Sequence, residues 1–218
     1  MLLAVDGISK SYSDNAILDG LSFSLDQGQH ALLLGPSGSG KSTLLNIICG
    51  LQQPDSGTVQ IDGETIADGA GAQQNDAVRR RSLGIVFQTL RLVSALTLRA
   101  NLELAQRLQC GSIDGAVIDD CLDRLDIAGR ANAKPHQLSQ GEAQRAAIAR
   151  AIVVKPQLLI ADEPTSALDG ENAARVARLL LDMASSVEAG LLIATHDERL
   201  QSFFPNAFRL AEGKVSPC

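Results

Sequence analysis

The sequence has no excess of positive charge. Its 218 residues include 19 Lys and Arg against 25 Asp and Glu, which gives a net charge of −6 with neutral histidines. Proteins that hold nucleic acid non-specifically do so through basic surfaces that contact the phosphates, so we expect no nucleic-acid partner. Tryptophan is also absent, but 45% hydrophobic and 20% charged residues indicate an ordinary globular chain, neither disordered nor fibrous.

Long apolar runs and paired cysteines are missing as well. No stretch approaches the roughly 18 apolar residues that a membrane-spanning helix needs, and no basic leader precedes Asp6, so no signal peptide is predicted. The four cysteines form no CxxC pair and have no histidine-rich neighbourhood, so neither a zinc site nor a redox motif is predicted. We expect a cytoplasmic protein that reaches a membrane only through a partner.

The chain does contain many short apolar runs separated by helical patterns. The opening runs are broken by turn residues and predict antiparallel strands. Helical periodicity fills the stretch between about 94 and 152. Other runs are continuously apolar and end in polar residues, which is typical of parallel strands covered on both faces. These runs are HALLL, GIVFQ at 84–88, LLIA at 158–161 and LLIAT.

Together these patterns predict an α/β fold. We expect a mostly parallel sheet, an antiparallel N-terminal β subdomain and a helical subdomain inserted at roughly residues 89–155. The whole chain, 1–218, is expected to form one domain, because this length can bury a single sizeable core. Residues 67–76 are polar and rich in glycine, which predicts a surface loop.

The most specific motif is a glycine-rich loop between a strand and a helix. GPSGSGKS matches G-x-x-x-x-G-K-[ST] in full, which predicts a P-loop NTPase core. Glycines let backbone N–H groups turn towards a phosphate, the lysine neutralises the outer phosphates, and the hydroxyl of Ser42 can coordinate Mg²⁺. The predicted ATP-binding residues here are Gly35, Pro36, Ser37, Gly38, Ser39, Gly40, Lys41, Ser42 and Thr43.

Two acidic residues follow the buried run LLIA. Asp162 and Glu163 stand at the carboxyl end of a predicted parallel strand, the edge at which open α/β sheets bind ligands. Asp162 is expected to hold Mg²⁺ through water, and Glu163 to polarise the attacking water. A competing interpretation is that these acids cap the helix predicted after Pro164, since carboxylates favour helix N-termini.

Polar side chains also end two other runs. Gln88 follows GIVF and His196 follows LLIAT, so in a parallel sheet both lie at the same edge as Lys41 and Asp162. We predict that they belong to the same site. For His196 a simple hydrogen-bonding role in the core is the alternative.

These motifs, taken in order, make the chain resemble the nucleotide-binding subunit of an ATP-binding cassette (ABC) transporter. The resemblance covers nearly all of the 218 residues. It rests on Tyr12 as the adenine-stacking residue, GPSGSGKS, Gln88, LSQGE as the family signature, LLIADE, the loop 166–169 and His196. It implies ATP hydrolysis with Mg²⁺, in which Gln88 reaches the Mg²⁺ site and Glu163 and His196 act in catalysis. For Tyr12, packing on the opening sheet is the alternative to stacking.

The resemblance also implies a role for LSQGE. In this family two subunits sandwich two ATP molecules head to tail, so Ser139 and Gly141 would contact the γ-phosphate bound to a second copy of the chain. Asp169 would help to cross that interface. Two residues depart from the usual LSGGQ pattern: Gln140 replaces a glycine and Glu142 replaces a glutamine.

In its small size the chain resembles the compact ATPases of lipoprotein-release, macrolide-export and cell-division systems. This implies an integral membrane permease as partner, with the chain peripheral on the inner face of the cell membrane; regulation of a membrane-bound partner without transport is the alternative. The apolar stretch RLVSALTL at 91–98 either forms the groove in which that partner docks or packs on the chain's own helices.

Overall fold

Two sheets and a set of helices make up the fold. The computed structural model describes residues 1–13, 15–70, 75–166 and 168–218. The strands are β1 (Leu3–Tyr12), β2 (Asn15–Leu25), β3 (His30–Leu34), β4 (Ser56–Ile61), β5 (Glu64–Asp68), β6 (Leu83–Val86), β7 (Leu158–Asp162), β8 (Gly190–Thr195), β9 (Asn206–Ala211) and β10 (Lys214–Pro217). The α-helices are α1 (Lys41–Ile48), α2 (Asp76–Ser82), α3 (Leu98–Cys110), α4 (Gly115–Arg124), α5 (Gln140–Ile152) and α6 (Gly170–Ser186).

The first sheet is antiparallel, as the opening runs predict. Its order is β2-β1-β4-β5, and each neighbouring pair runs in opposite directions. β1 shifts register against both of its partners, for example between Val5 and Ile8 against β2. Strand β1 ends at Tyr12, and this side chain lines the site described below.

The second sheet is mostly parallel and has the order β10-β9-β3-β8-β7-β6. The strands from β9 to β6 run parallel to their neighbours, and β10 pairs antiparallel with β9. The central register pairs Leu34 with Thr195 and Asp162 with Ala194. Since parallel strands end at one edge, the segments that follow β3, β6, β7 and β8 emerge next to each other there.

Both faces of the parallel sheet are covered, which explains its continuously apolar strands. In β3, Leu32 and Leu34 face a core formed with α3 to α6, whereas Ala31 and Leu33 face a second core that contains α1 and the antiparallel sheet. β7 and β8 alternate in the same way. Alternate side chains enter two different cores, so every position must be apolar.

Local signals at the helix ends agree with the observed boundaries. Thr97 accepts a hydrogen bond from the backbone N–H of Ala100 at the start of α3, which ends at Gly111 with a left-handed φ of 74°. Asp114 and Asp169 cap α4 and α6 in the same manner as Thr97 caps α3. Among the described helices, none has both the length and the apolar character required to cross a bilayer.

The structure differs from the predicted elements in two places. The predicted loop 67–76 is partly regular, because Ala67 and Asp68 belong to β5 and α2 begins at Asp76; residues 71–74 lie outside the described part. Both elements are short and α2 buries little besides Val78, so their periodicity is weak. The strand predicted over 84–88 ends at Val86, since pairing with β7 stops there and Gln88 lies beyond the sheet.

Gly84 provides a test of how closely α5 packs on β6. A Cβ added at Gly84 would lie 2.3 Å from the backbone oxygen of Ala151. The helix and the strand would therefore have to move apart to accept it. We expect Gly84→Ala to lower the free energy of unfolding by about 1–3 kcal/mol, the usual cost of overpacking. Chemical denaturation followed by circular dichroism measures it.

Gly115 offers the matched control. It begins α4, and an added Cβ meets nothing within 4 Å. Gly115→Ala should change stability by less than about 0.5 kcal/mol, as surface substitutions usually do. Equal stability of the two variants would contradict the close packing of α5 on β6.

Candidate functional site

A cavity of about 350 Å³ opens at the carboxyl edge of the parallel sheet. It lies between the end of β1, the loop after β3 and the segments after β6, β7 and β8, as the shared edge requires. The predicted site residues that line it are Tyr12, Ser37, Gly38, Gly40, Lys41, Ser42, Thr43, Gln88, Glu163 and His196. Residues far apart in the chain thus meet at one site.

The loop between β3 and α1 has the backbone that a phosphate cradle needs. Gly38 and Gly40 have left-handed φ values of 81° and 99°, and Gly40 caps α1. A Cβ on Gly40 would lie 2.8 Å from Cγ2 of Ile17, and one on Gly35 would lie 2.6 Å from the backbone oxygen of Leu210. Glycine is therefore required by φ at Gly40 and by space at both positions.

Lys41 is folded back over this loop and nearly buried. Its Nζ donates hydrogen bonds to the backbone oxygens of Gly35 at 2.8 Å and Pro36 at 2.9 Å. It also pairs with Oε1 of Glu163 at 3.3 Å, with side-chain exposures of 5% and 10%. A buried charge needs such partners, because desolvation without them is costly.

Glu163 is held by several contacts. Its φ is 47°, and its backbone N–H donates to the oxygen of Ala194 at 2.8 Å. Its Oε2 lies 2.9 Å from Nδ1 of His196 and accepts a hydrogen bond of 3.2 Å from Oγ1 of Thr195. The carboxylate therefore points into the cavity and towards Lys41 rather than capping the next helix. His196 stays half exposed at 54%, so it is no core histidine.

Asp162 and Ser42 present oxygen atoms of the kind that Mg²⁺ binds. Burial raises the pKa of Asp162 above its usual range, while a hydrogen bond from the Ser42 hydroxyl acts in the opposite direction. The Oδ1 atom of Asp162 is buried and makes no hydrogen bond within the described structure. Magnesium ions commonly use one or two carboxylates and keep several waters, so this small donor set fits the ion.

Tyr12 and Gln88 also line the cavity. The Tyr12 side chain is half exposed, its hydroxyl accepts a hydrogen bond from Nε2 of Gln52 at 2.5 Å, and Lys10 lies 5.9 Å from its ring centre. The ring is thus anchored at one end with surface left free. Gln88 is exposed and lies beyond the end of β6.

The LSQGE segment lies elsewhere. Ser139 caps α5: its Oγ accepts a hydrogen bond from the Glu142 N–H, while Oε2 of Glu142 accepts one from the Ser139 N–H. Arg130 also contacts Glu142, with Nε 2.6 Å from Oε1. Ser139, Gln140 and Gly141 are exposed at the start of the helix.

A second cavity connects this helix start to the site. It has a volume of about 590 Å³ and is lined by Gln140 and Gly141 on one side. On the other side are Gln88, Glu163 and Ser166, which also line the first cavity. Ser139 and Gly141 themselves do not line the first cavity. In the loop 166–169, Ser166 lines both cavities and Leu168 lines the second, while Ala167 lies outside the described residues.

Comparison with known proteins identifies this arrangement. The sequence pattern of the ABC transporter family matches residues 18–166. The chain belongs to the ABC transporter family. It is a nucleotide-binding subunit with an ABC ATPase fold, and the relatives show that it is an ATPase.

Individual relatives agree with the family assignment. An uncharacterised ABC transporter ATP-binding protein of Mycobacterium tuberculosis is 37% identical over 203 residues, 92% of this chain and 82% of that protein. The lipoprotein-releasing system ATP-binding protein LolD 1 of Rhodopirellula baltica is 36% identical over 221 residues, 98% of this chain and 96% of that one. The ABC subunit therefore resembles the compact lipoprotein-release type.

A solved structure resembles the fold along almost its full length. The post-hydrolysis dimer of the cassette MJ0796 bound to ADP and phosphate is 32% identical, with a TM-score of 0.86, and the match covers 99% of this chain and 97% of that one. The fold predicted from the sequence is thus confirmed: a mostly parallel sheet, an antiparallel β subdomain and helices.

Sequence reasoning missed Thr195 and Arg130. Thr195 contacts Glu163, and Arg130 contacts the signature residue Glu142. A signal was available for Thr195, since it is a hydroxyl residue at the end of an apolar run and directly precedes His196. Arg130 lies in a polar stretch, where nothing in the sequence distinguishes it from other surface arginines.

The Glu142 cap gives the ABC subunit a pH-dependent contact. Hydrogen bonds from the Ser139 backbone, from Arg130 and from the Ser139 hydroxyl lower the pKa of Glu142 from 4.5 to about 2. A lowered pKa means that the contact stabilises the fold above pH 4.5 and loses that effect as the pH falls from 4.5 towards 2. Glu142→Gln keeps a side-chain acceptor but carries no charge.

We therefore expect wild type to be more stable than Glu142→Gln at neutral pH and the difference to shrink below pH 4.5. Urea denaturation of both proteins at a series of pH values measures this. Subtracting the unfolding free energy of the variant from that of wild type removes the contribution of the other carboxylates, because they titrate in both proteins. A stability difference that stays constant down to pH 2 would contradict the charged cap.

Proposed function

We propose that two copies of this chain bind two ATP molecules head to tail and use hydrolysis to drive an integral membrane partner. One observation carries the proposal: Ser139 and Gly141 are exposed at the start of α5 and do not line their own chain's nucleotide cavity. A helix start offers free N–H groups and a positive dipole end to phosphate. The phosphate that fits belongs to a second copy.

The residues of one chain supply the binding half of the site. The glycine loop 35–40 and the start of α1 surround the phosphates, and Lys41 neutralises their charge. Tyr12 stacks on the adenine through its free face, an interaction of about 1–3 kcal/mol by analogy with other base stacking. To serve both phosphate and Glu163, Lys41 would exchange its hydrogen bonds to the backbone oxygens of Gly35 and Pro36 for phosphate oxygens, since its ammonium group has only three donors.

The metal half of the site consists of Ser42, Asp162 and Gln88. Ser42 and Asp162 already contact each other, and Oδ1 of Asp162, which has no hydrogen-bond partner in the described structure, offers a further oxygen ligand for the metal. When bound, Mg²⁺ would neutralise charge that develops on the phosphate oxygens. Gln88 would reach the ion from the segment after β6.

Glu163 is the general base in this proposal. Its carboxylate lines the cavity with one oxygen towards Lys41 and the other towards His196. It can accept a proton from the attacking water while His196 holds its orientation. Because LSQGE comes from the second copy, hydrolysis requires both chains, and loss of the γ-phosphate removes the contact that holds them together.

The membrane partner is proposed to dock in a groove between β6 and α3. The groove has a volume of about 330 Å³, includes Phe87 next to Gln88, and is bordered by Val93 and Leu108, which are 43% and 65% exposed. An apolar groove of this kind suits an amphipathic helix. The relatives named LolD are ATP-binding proteins of lipoprotein-releasing systems. This supports the proposal that the chain works with a permease on the inner face of the membrane.

The groove differs from the one predicted at 91–98. Leu98 is buried in α3 and Leu92 packs on the core, so those two side chains serve the chain's own helices. Leu96 is half buried. Val93 alone of the four borders the groove, and Leu108 of α3 completes it.

Glu163→Gln tests the sandwich. Glutamine keeps the shape of the side chain but cannot accept a proton, so ATP stays bound and the dimer persists. We expect light scattering with ATP and Mg²⁺ to show a dimer, and turnover to fall at least about 100-fold, the contribution of a general base. A monomer under these conditions would rule out the head-to-tail arrangement.

Two double variants serve as controls. Lys41→Ala combined with Glu163→Gln should remain monomeric because it loses ATP binding. Ser139→Ala combined with Glu163→Gln should bind ATP normally as a monomer but require more ATP to dimerise. If monomer affinity drops as well, Ser139 serves its own chain's site.

Leu108→Asp tests the docking groove. A charge at this exposed apolar border should prevent an apolar helix from docking, because burying an unpaired carboxylate is costly. We expect the integral membrane partner to co-purify from solubilised membranes with wild type but at least about tenfold less with Leu108→Asp. ATPase activity of the isolated ABC subunit should be unchanged.

The matched control is Leu51→Asp. Leu51 is also exposed, at 43%, but it does not border the groove. It should retain the permease at wild-type levels. Equal retention by both variants would place the docking surface elsewhere.

A further inference from the structure

Thr195 occupies the centre of the catalytic edge without any assigned role. It is the last residue of β8, it is fully buried, and it pairs with Leu34 at the end of β3. Its backbone oxygen accepts a hydrogen bond of 3.2 Å from the N–H of Gly35, the first residue of the phosphate loop. Thr195 therefore contacts the phosphate loop through its backbone, and its side chain contacts Glu163.

The hydroxyl of Thr195 has a defined direction. A carboxylate can only accept hydrogen bonds, so the hydroxyl proton goes to Oε2 of Glu163 at 3.2 Å. The backbone N–H of Asp197 donates to the same hydroxyl oxygen at 3.1 Å. Both contacts of the oxygen are therefore determined by its neighbours, and the β-branched side chain has little rotational freedom.

The other contacts of Glu163 are less fixed. In the proposed function Lys41 also binds phosphate, and His196 is half exposed. Thr195 is neutral, buried and part of the sheet, so its contact is the one that we expect to persist as the nucleotide is bound and released. The left-handed backbone at Glu163 likewise requires support from its surroundings.

We propose that Thr195 is a positioning residue. Its hydroxyl holds Oε2 of Glu163 where it can accept a proton from the attacking water, and its backbone contact with Gly35 fixes the distance between that carboxylate and the phosphate loop. The inference rests on the proposed function, in which Glu163 is the general base. Displacement of a reacting group by about 1 Å can cost 100-fold in rate. Loss of the hydroxyl should thus affect turnover rather than ATP binding.

Thr195→Val removes the hydroxyl and keeps the shape of the side chain. We expect kcat to fall about 10- to 100-fold, with KM for ATP within about twofold of wild type. Thr195→Ser, which restores a hydroxyl, should recover most of kcat. Circular dichroism at the assay temperature confirms that both variants are folded.

A double variant shows whether Thr195 acts through Glu163. In the Glu163→Gln background, Thr195→Val should reduce residual phosphate release by less than about twofold, since residues that act as a unit are not additive. A full 10- to 100-fold further loss, or wild-type kcat in Thr195→Val, would overturn the inference and leave the proposed function standing. Wild-type turnover in Glu163→Gln would overturn both.

Discussion

Lys41 and Glu163 bring opposite charges together at the carboxyl edge of the parallel sheet, with Nζ and Oε1 3.3 Å apart and both side chains nearly buried. Each charge offsets part of the desolvation cost of the other, because removing one partner leaves the other buried without it. The pair exists because β3 and β7 both adjoin β8, so that the loop after one and the end of the other meet across Thr195. The sheet order therefore brings the glycine loop and the Glu163 carboxylate together at a single ionic contact.

The same arrangement leaves each ABC subunit with two unlike surfaces. The first cavity is lined by Lys41, Ser42 and Glu163, whereas LSQGE stands at a separate, exposed helix start. The cap between Ser139 and Glu142 holds the start of α5 in place while Ser139 and Gly141 stay exposed. Gln140, the departure from LSGGQ, borders the cavity that joins these surfaces. A subunit built in this way is suited to work in pairs.

Much of this could be predicted from the sequence, since each motif is local. The P-loop, the acids after LLIA and the continuously apolar strands depend on neighbours in the chain, and the structure brings Lys41, Gln88, Glu163 and His196 together as the strand ends imply. Thr195 and the Arg130 contact were missed because they depend on residues distant in sequence. The short β5 and α2 were missed because few of their side chains are buried. Only the folded chain determines which residue completes each pair.

The most direct test of a site shared between two chains is specific ATPase activity measured against chain concentration. In the proposed dimer each site would take its base from one copy and its signature from another, so activity per chain should rise with concentration and level off once dimers form. Sedimentation of the same samples establishes how much of the chain is monomeric. Activity per chain that stays constant while the chain remains monomeric would show that one copy hydrolyses ATP alone and would contradict this account.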